Sequence, residues 1–344
     1  MVPVTTAPTQ RLSPTLDPGR RLLRPALRDA VRSHLGPEMS RIAQYHLGWA
    51  DAEGRPTGTW GGKMIRPNLA LLSARAAGAA DTDGLPAAVA VELVHNFSLL
   101  HDDIMDGDET RRGRETAWAV FGVPNAILAG DAMVTAATSA LLASPAPGAG
   151  SAAASLMAAT QRMIDGQTCD VAFERRDQVS LAECLRMARG KTGALLGCAC
   201  ALGADLVGAE QPLIDGLRAF GEHLGLAFQL VDDVLGIWGD TRSTGKQIGA
   251  DLRVRKKSLP VVAALNAPGA DELRALYLGS GPLPEHAVGR VADLVEQAGG
   301  RRWAQEEAAR QTAAAEQSLA AAEMPDGVRG EFLEIAGFLL GRKL

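Results

Sequence analysis

Two apolar stretches of this chain each end in paired carboxylates, and these acids are its best candidates for chemistry. The first runs Val91-Glu-Leu-Val-His-Asn-Phe-Ser-Leu-Leu-His-Asp-Asp-Ile-Met-Asp106 and closes on Asp102, Asp103 and Asp106. The second, Phe228-Gln-Leu-Val-Asp-Asp-Val-Leu-Gly236, carries Asp232 and Asp233. On a helix Asp102 and Asp106 stand one turn apart and share a face. Three carboxylates so close repel one another and raise one another's pKa unless cations lie between them. Hard oxygen donors of this kind suit magnesium, which takes one or two carboxylates together with substrate phosphates. Either motif alone is matched by a solvated acidic helix end. Two of them facing across a bundle would cage several divalent ions and one diphosphate.

Cations accompany the acids. Arg111 and Arg112 follow the first motif within two turns. Lys63 and Arg66 belong to the run Gly61-Gly-Lys-Met-Ile-Arg-Pro67. Their spacing of three predicts one face of a helix start, where free backbone N–H groups also attract an anion. That pair reads as a diphosphate site that needs no metal. Lys191 beside Thr192, Lys246 in Thr244-Gly-Lys-Gln-Ile-Gly249, and Lys256 before Ser258 each neighbour a glycine or hydroxyl that lets a phosphate approach. A single exposed lysine is ordinarily just solvated. The set carries the weight.

The elements that must position these groups are helical. Alanine and leucine dominate, aromatics make up 4 % of the 344 residues, and apolar positions recur at helical rather than alternating spacing. Punctuation falls at residues 51–62, 81–86, 144–150, 266–270 and 279–284, and none of it reads as an interdomain linker. Residues 1–18, rich in Pro and Thr and without apolar period, read as a flexible tail, and residues 19–344 as one helical domain. The formal net charge of −5 is well mixed, which removes nucleic acid as the default partner. Cys169, Cys184, Cys198 and Cys200 form no CxxC pairs and read as buried thiols, as a reducing cytoplasm would allow. Neither a signal peptide nor an apolar run of about 18 residues is present, so no stable membrane insertion is expected.

Taken in order, these motifs resemble the trans-isoprenyl diphosphate synthase (polyprenyl synthetase) family from about Gly61 to Pro260, and most of all its short-chain geranylgeranyl members. The resemblance implies an all-α, single large bundle of the isoprenoid synthase type around a central cavity. It implies a prenyltransferase joining isopentenyl diphosphate to C5–C15 allylic diphosphates with three Mg²⁺ ions, working as a homodimer. Asp102, Asp106 and Asp232 would bind metal directly, supported by Asp103 and Asp233. Arg111, Lys191, Thr192, Gln229, Lys246 and Lys256 would surround the allylic diphosphate, and Lys63, Arg66, His95 and Arg112 would hold isopentenyl diphosphate. Gln167 and Asp170 match a GQxxD helix facing the reacting carbons. His95 lies seven residues before Asp102, almost two turns, and so shares its face. Phe97, roughly 7.5 Å along the axis from Asp102, would floor the product tunnel with Ser98 beside it. In relatives an aromatic followed by a small residue resembles synthases making the C20 product.

Three positions depart from the family's pattern. Met64 stands where a basic residue is usual, Trp118 where a histidine is common, and Gly236 replaces the third acid of the second motif. The last is expected to weaken the outer shell of the ion without removing it. Competing readings are a farnesyl (C15) synthase, a class I terpene cyclase and a non-catalytic synthase subunit. A cyclase has no use for an isopentenyl site, and a non-catalytic subunit usually lacks the first acidic cluster.

Overall fold

Residues 194–206, Ala-Leu-Leu-Gly-Cys-Ala-Cys-Ala-Leu-Gly-Ala-Asp-Leu, carry a single charge, and a helix apolar on every side must be enclosed by others. That is what the computed structural model, which describes residues 17–58, 62–239, 248–279 and 281–341, shows. Every residue of this helix is buried, and its one charge, Asp205, accepts a 2.6 Å hydrogen bond from Ser155.

In chain order the helices are α1 (Asp17–His34), α2 (Pro37–His46), α3 (Ile65–Ala76), α4 (Leu85–Met105), α5 (Ala117–Phe121), α6 (Val123–Leu142), α7 (Ala149–Glu174) and α8 (Leu181–Ala188). A π-helical turn (Arg189–Gly193) leads into α9 (Ala194–Leu206). There follow α10 (Gln211–Trp238), α11 (Ala250–Arg253), α12 (Leu259–Leu265), α13 (Asp271–Tyr277), α14 (Glu285–Gln297), α15 (Gly300–Ala321) and α16 (Asp326–Leu340). Helix α9 packs against α3, α4, α7 and α10, while α4 also lies on α6 and α10 runs along α15. The all-α class expected from the sequence is the class observed. Helix α1 begins at Asp17, two residues inside the segment read as a tail. Cys184, Cys198 and Cys200 are buried as expected, but Cys169, on α7, is exposed.

One element departs from the helical reading. Thr110–Arg111 and Arg114–Glu115 pair as an antiparallel hairpin, β1 and β2, just beyond the acids that close the first motif. Its two-residue turn is Arg112-Gly113, at φ +54° and +75°, the double positive φ that suits the twist of a tight hairpin. The hairpin is anchored through the carbonyl of Asp108, which accepts from Thr116 Oγ1 and from the indole nitrogen of Trp118, each at 2.9 Å.

Glycines set how closely the site's walls approach. A Cβ at Gly166 of α7 would collide with the backbone nitrogen of Lys191, and one at Gly190 would lie 2.7 Å from the carbonyl oxygen of Arg162. Facing Gly193 and Gly225 likewise let the π turn meet α10, with a Cβ at Gly225 falling 2.7 Å from the Cα of Gly193. Gly166→Ala is therefore expected to push α7 off the π turn, costing about 1–3 kcal/mol as overpacking does. Thermal denaturation and turnover should both fall; an unchanged melting temperature together with full activity would contradict the close approach.

Candidate active site

Asp102 and Asp103 occupy the last turn of α4, and Asp106 is its C-cap residue. Asp103 is only 1 % exposed; its Oδ1 accepts from Nε of Arg111, and its buried Oδ2 has no hydrogen-bond partner. Asp102 is half-buried and Asp106 exposed. Burial pushes the Asp102 carboxyl up to about 6; Lys191 and Arg111 pull it down, while Asp106 and Asp170 add to the rise. Burial also raises Asp106, against the pull of Lys191 and with Asp108 and Asp170 repelling it.

The opposite wall comes from α7, the π turn and α10. Lys191 projects from the π turn, an element often found at functional sites, and its ammonium is bonded to Oδ2 of Asp170 on α7. Gln167, one turn earlier on α7, reaches Sδ of Met105 at 3.6 Å with its amide nitrogen, while its Oε1 is buried without a partner. Thr192 Oγ1 donates to Gln229 Oε1 at 2.6 Å, and Gln229 Nε2 donates to Asp233 Oδ1 at 2.8 Å. The backbone N–H of Leu259 donates to the other oxygen of Asp233 at 2.9 Å. With both oxygens engaged and 3 % exposure, Asp233 braces the second motif, whereas Asp232 is exposed to the cleft.

Lys256 shows that the two motifs share one cleft. Burial alone would discharge it, but Asp233, Asp251, Asp170 and Asp232 outweigh that cost and hold its ammonium charged. The same lysine acts on Asp106 at the end of the first motif. Carboxylates of α4, α7 and α10 thus all lie within electrostatic reach of one lysine. Lys246 and Gly61 lie outside the described residues.

Gly236 has a tertiary explanation. A Cβ there would collide with Oδ2 of Asp251 on α11, so Asp251 fills the space a third acid would take, 3.9 Å from Nζ of Lys256. The donor set fits magnesium. It offers hard oxygens only, two of them (on Asp103 and Gln167) buried and unpartnered, and carboxylates that repel one another. No three acids or histidines converge on one point among the described residues. An ion shared between one or two carboxylates and phosphate oxygens needs no such trio.

The expected isopentenyl residues meet only in part. Arg66 Nη1 lies 3.4 Å from Nε2 of His95. Burial, with Arg66 and Arg112 nearby, holds that imidazole well below its ordinary pKa. Arg112, on the hairpin turn, packs over Gly62, its guanidinium 3.4 Å from where a Cβ would stand. It lines a cavity of about 380 Å³ with Arg111, Arg114, Asp103 and Gly62. So Arg111, expected at the allylic group, borders the Arg112 cavity and clamps Asp103. Lys63 does not share a helical face with Arg66, because Met64 adopts a left-handed φ of +54° and the helix starts after it. Its Nζ stands 4.9 Å from the ring centroid of Phe338 on α16. Met64 is buried, which suits an apolar residue.

Phe97 and Ser98 line a separate cavity of about 510 Å³ with Asp102, Met163, Ile164 and Lys191. Its lining combines the charged Asp102, Asp131 and Lys191 with the apolar Phe97, Met105, Met163, Ile164 and Val171, a mixture that suits a diphosphate with a hydrocarbon tail. Phe97 meets His101 edge-on at 4.8 Å.

Sequence reasoning overlooked Glu92 and Asn96, buried on α4 beside His95. Asn96 Nδ2 donates to Glu92 Oε1 at 3.0 Å, and burial raises the Glu92 carboxyl against the pull of Asn96 and Arg66. Two polar residues within an apolar helix were a usable signal. His46, at the end of α2, lines the Arg112 cavity and carried none.

A helical bundle whose two aspartate motifs, basic hairpin and amphipathic cavity converge in this way defines a prenyltransferase, and this chain belongs to the polyprenyl synthetase family, which it matches over residues 57–295. It is a trans-prenyl diphosphate synthase. It is similar to the (2E,6E)-farnesyl diphosphate synthase of Mycobacterium tuberculosis, 45 % identical over 97 % of this chain and 94 % of the relative. The geranylgeranyl diphosphate synthase of the same organism is 44 % identical over 93 % of this chain and 90 % of its own length. Among solved structures, a polyprenyl synthetase from Streptomyces coelicolor superposes with a TM-score of 0.89 at 50 % identity, covering 96 % of this chain and 99 % of that one.

Proposed function

We propose that the chain extends allylic diphosphates with isopentenyl diphosphate to the C20 product, geranylgeranyl diphosphate. Relatives of C15 and C20 specificity match at nearly equal identity, so the cavity wall has to discriminate. The observation that carries the reading is Phe97 with the small Ser98 beside it, both lining the cavity that also holds Asp102. A farnesyl product is the second reading, favoured by the 45 % identical relative. The test incubates the protein and Mg²⁺ with isopentenyl diphosphate and each of the C5, C10 and C15 starters, then sizes the products. Extension of the C15 starter to C20 is expected; accumulation of C15 with no further extension would overturn the assignment.

In this reading Asp102, Asp106 and Asp232 would hold three Mg²⁺ ions for the allylic diphosphate, with Asp103 and Asp233 fixed in place by Arg111, Gln229 and the Leu259 N–H. Bound Mg²⁺ neutralises the diphosphate and makes it a better leaving group. Lys191, Lys246 and Lys256 meet the charge that develops as the allylic C–O bond breaks. Arg66, His95, Arg112 and Lys63 bind isopentenyl diphosphate so that its double bond attacks the allylic cation, a matter of positioning. The proton then lost passes to the departing pyrophosphate, so no protein nucleophile is needed. Gln167 and Asp170 orient the reacting face through their contacts with Met105 and Lys191.

Val123, Ile127, Leu128 and Leu142 on α6 and Met157 on α7 are large apolar residues left exposed, which suits a homodimer, measurable as twice 36.0 kDa in sedimentation. By length and composition α6 could cross a bilayer; in this reading it is a dimer helix of a cytoplasmic enzyme.

The raised acids set a pH signature. Because burial lifts Asp102 and Asp233 to about 6, ionising them in the metal-free protein costs stability. The stability linked to them is fully present below the ordinary carboxylate range near pH 4 and is lost as pH rises through about 6. Adding Mg²⁺ with pyrophosphate should accordingly raise the melting temperature more at pH 7.5 than at pH 5. Equal shifts at both pH values would count against ion binding by these carboxylates.

A further inference from the structure

His101 lies one turn after Phe97 on α4, and both side chains line the cavity of about 510 Å³ together with Asp131 of α6. Three features of α6 set the imidazole. Its Nε2 lies 3.1 Å from the backbone carbonyl oxygen of Ile127, and since a carbonyl can only accept, that nitrogen carries the proton and donates. Asp131 Oδ1 stands 3.9 Å from the same nitrogen. Gly130 makes room for the ring, because a Cβ there would collide with Nε2 and Cδ2 of His101. Helix α6 therefore receives His101 at a glycine and holds it through its backbone, an approach that a side chain at position 130 would block. Held in this way, the imidazole meets the buried Phe97 edge-on, with ring centroids 4.8 Å apart and an interplanar angle of 69°.

We propose that His101 is a positioning residue for product length: anchored on α6, it fixes the orientation of the Phe97 ring that stops the growing chain. The inference rests on the reading of Phe97 as that wall. On a helix two χ1 rotamers stay open to an aromatic side chain, and a wall that can turn stops chains of more than one length. An aromatic neighbour pinned to a second helix favours the rotamer observed. The anchor is a backbone carbonyl and a glycine, neither of which can shift without moving α6, so the spacing of α4 and α6 is transmitted to the cavity wall through the imidazole.

The test sizes the dephosphorylated products that the full-length enzyme makes from isopentenyl diphosphate and a C5 starter with Mg²⁺, for the wild type, His101→Ala, Phe97→Ala and the double variant. His101→Ala should raise the ratio of longer products to the wild-type product about 2- to 10-fold, the range that one aromatic pair is worth. In the Phe97→Ala background the same substitution should add nothing, because the residue it acts through is gone. A wild-type distribution in His101→Ala overturns the proposal. So does further lengthening in the double variant, which would make His101 a wall in its own right. Should His101→Ala fail to fold, Gly130→Ala decides, since its methyl takes the place of the ring while His101 stays in the chain. Altered product lengths are expected there, and a wild-type distribution overturns the proposal. If Phe97→Ala by itself leaves product lengths unchanged, the reading of Phe97 as the wall falls, and this proposal with it.

Discussion

Asp102→Asn is expected to lower turnover by about 10³-fold, the scale seen when a group that stabilises developing charge is removed. The carboxylate is half-buried, pushed up to about 6 by burial and by neighbours Asp106 and Asp170, and tolerable as an anion only with cations beside it. Without metal at neutral pH the variant should therefore melt at a higher temperature than the wild type, because the amide removes a destabilising buried charge while keeping the shape. Loss of activity together with a gain in metal-free stability separates a functional acid from a structural one. Retention of more than a tenth of wild-type turnover would sink the role given to Asp102. The partner motif offers a contrast: both oxygens of Asp233 are satisfied inside the protein, so its amide variant should lose stability as well as activity.

Phe97→Ala is expected to lengthen the product by at least one five-carbon unit. The ring borders the apolar part of the cavity that begins at Asp102, and it is held edge-on against His101 at 4.8 Å. Removing it opens the wall toward the core. The stability cost should stay below the roughly 3–5 kcal/mol typical of Phe→Ala in a packed core, since one face of the ring already borders free space. Chromatography of the dephosphorylated products reads the outcome directly. An unchanged distribution would mean that another wall stops the chain, and the C20 assignment would lose its support.

Much of the site was legible because its signals are local. Asp102 and Asp106 are one turn apart on a single helix, His95 lies two turns earlier, and both facts survive in the folded chain because α4 is continuous from Leu85 to Met105. The buried helix α9 could be read from thirteen residues with one charge. Lys63 was misread for an equally local reason: spacing places two residues on one face only if the backbone between them is helical, and Met64 is not. The Arg112-Gly113 turn was missed because a two-residue hairpin is weakly encoded when its strands are only two residues long.

By itself the sequence determined the helical class, the identity of the paired acids and the set of cations, since composition and period act over a few turns of chain. The tertiary structure alone decided which of those acids face solvent and which serve as struts. It also decided that Asp251 stands in the space left by Gly236, and that His46 joins the arginine cavity. These outcomes depend on how closely helices distant in sequence approach, and that distance is set by packed glycines and buried side chains, which no periodicity along the chain records.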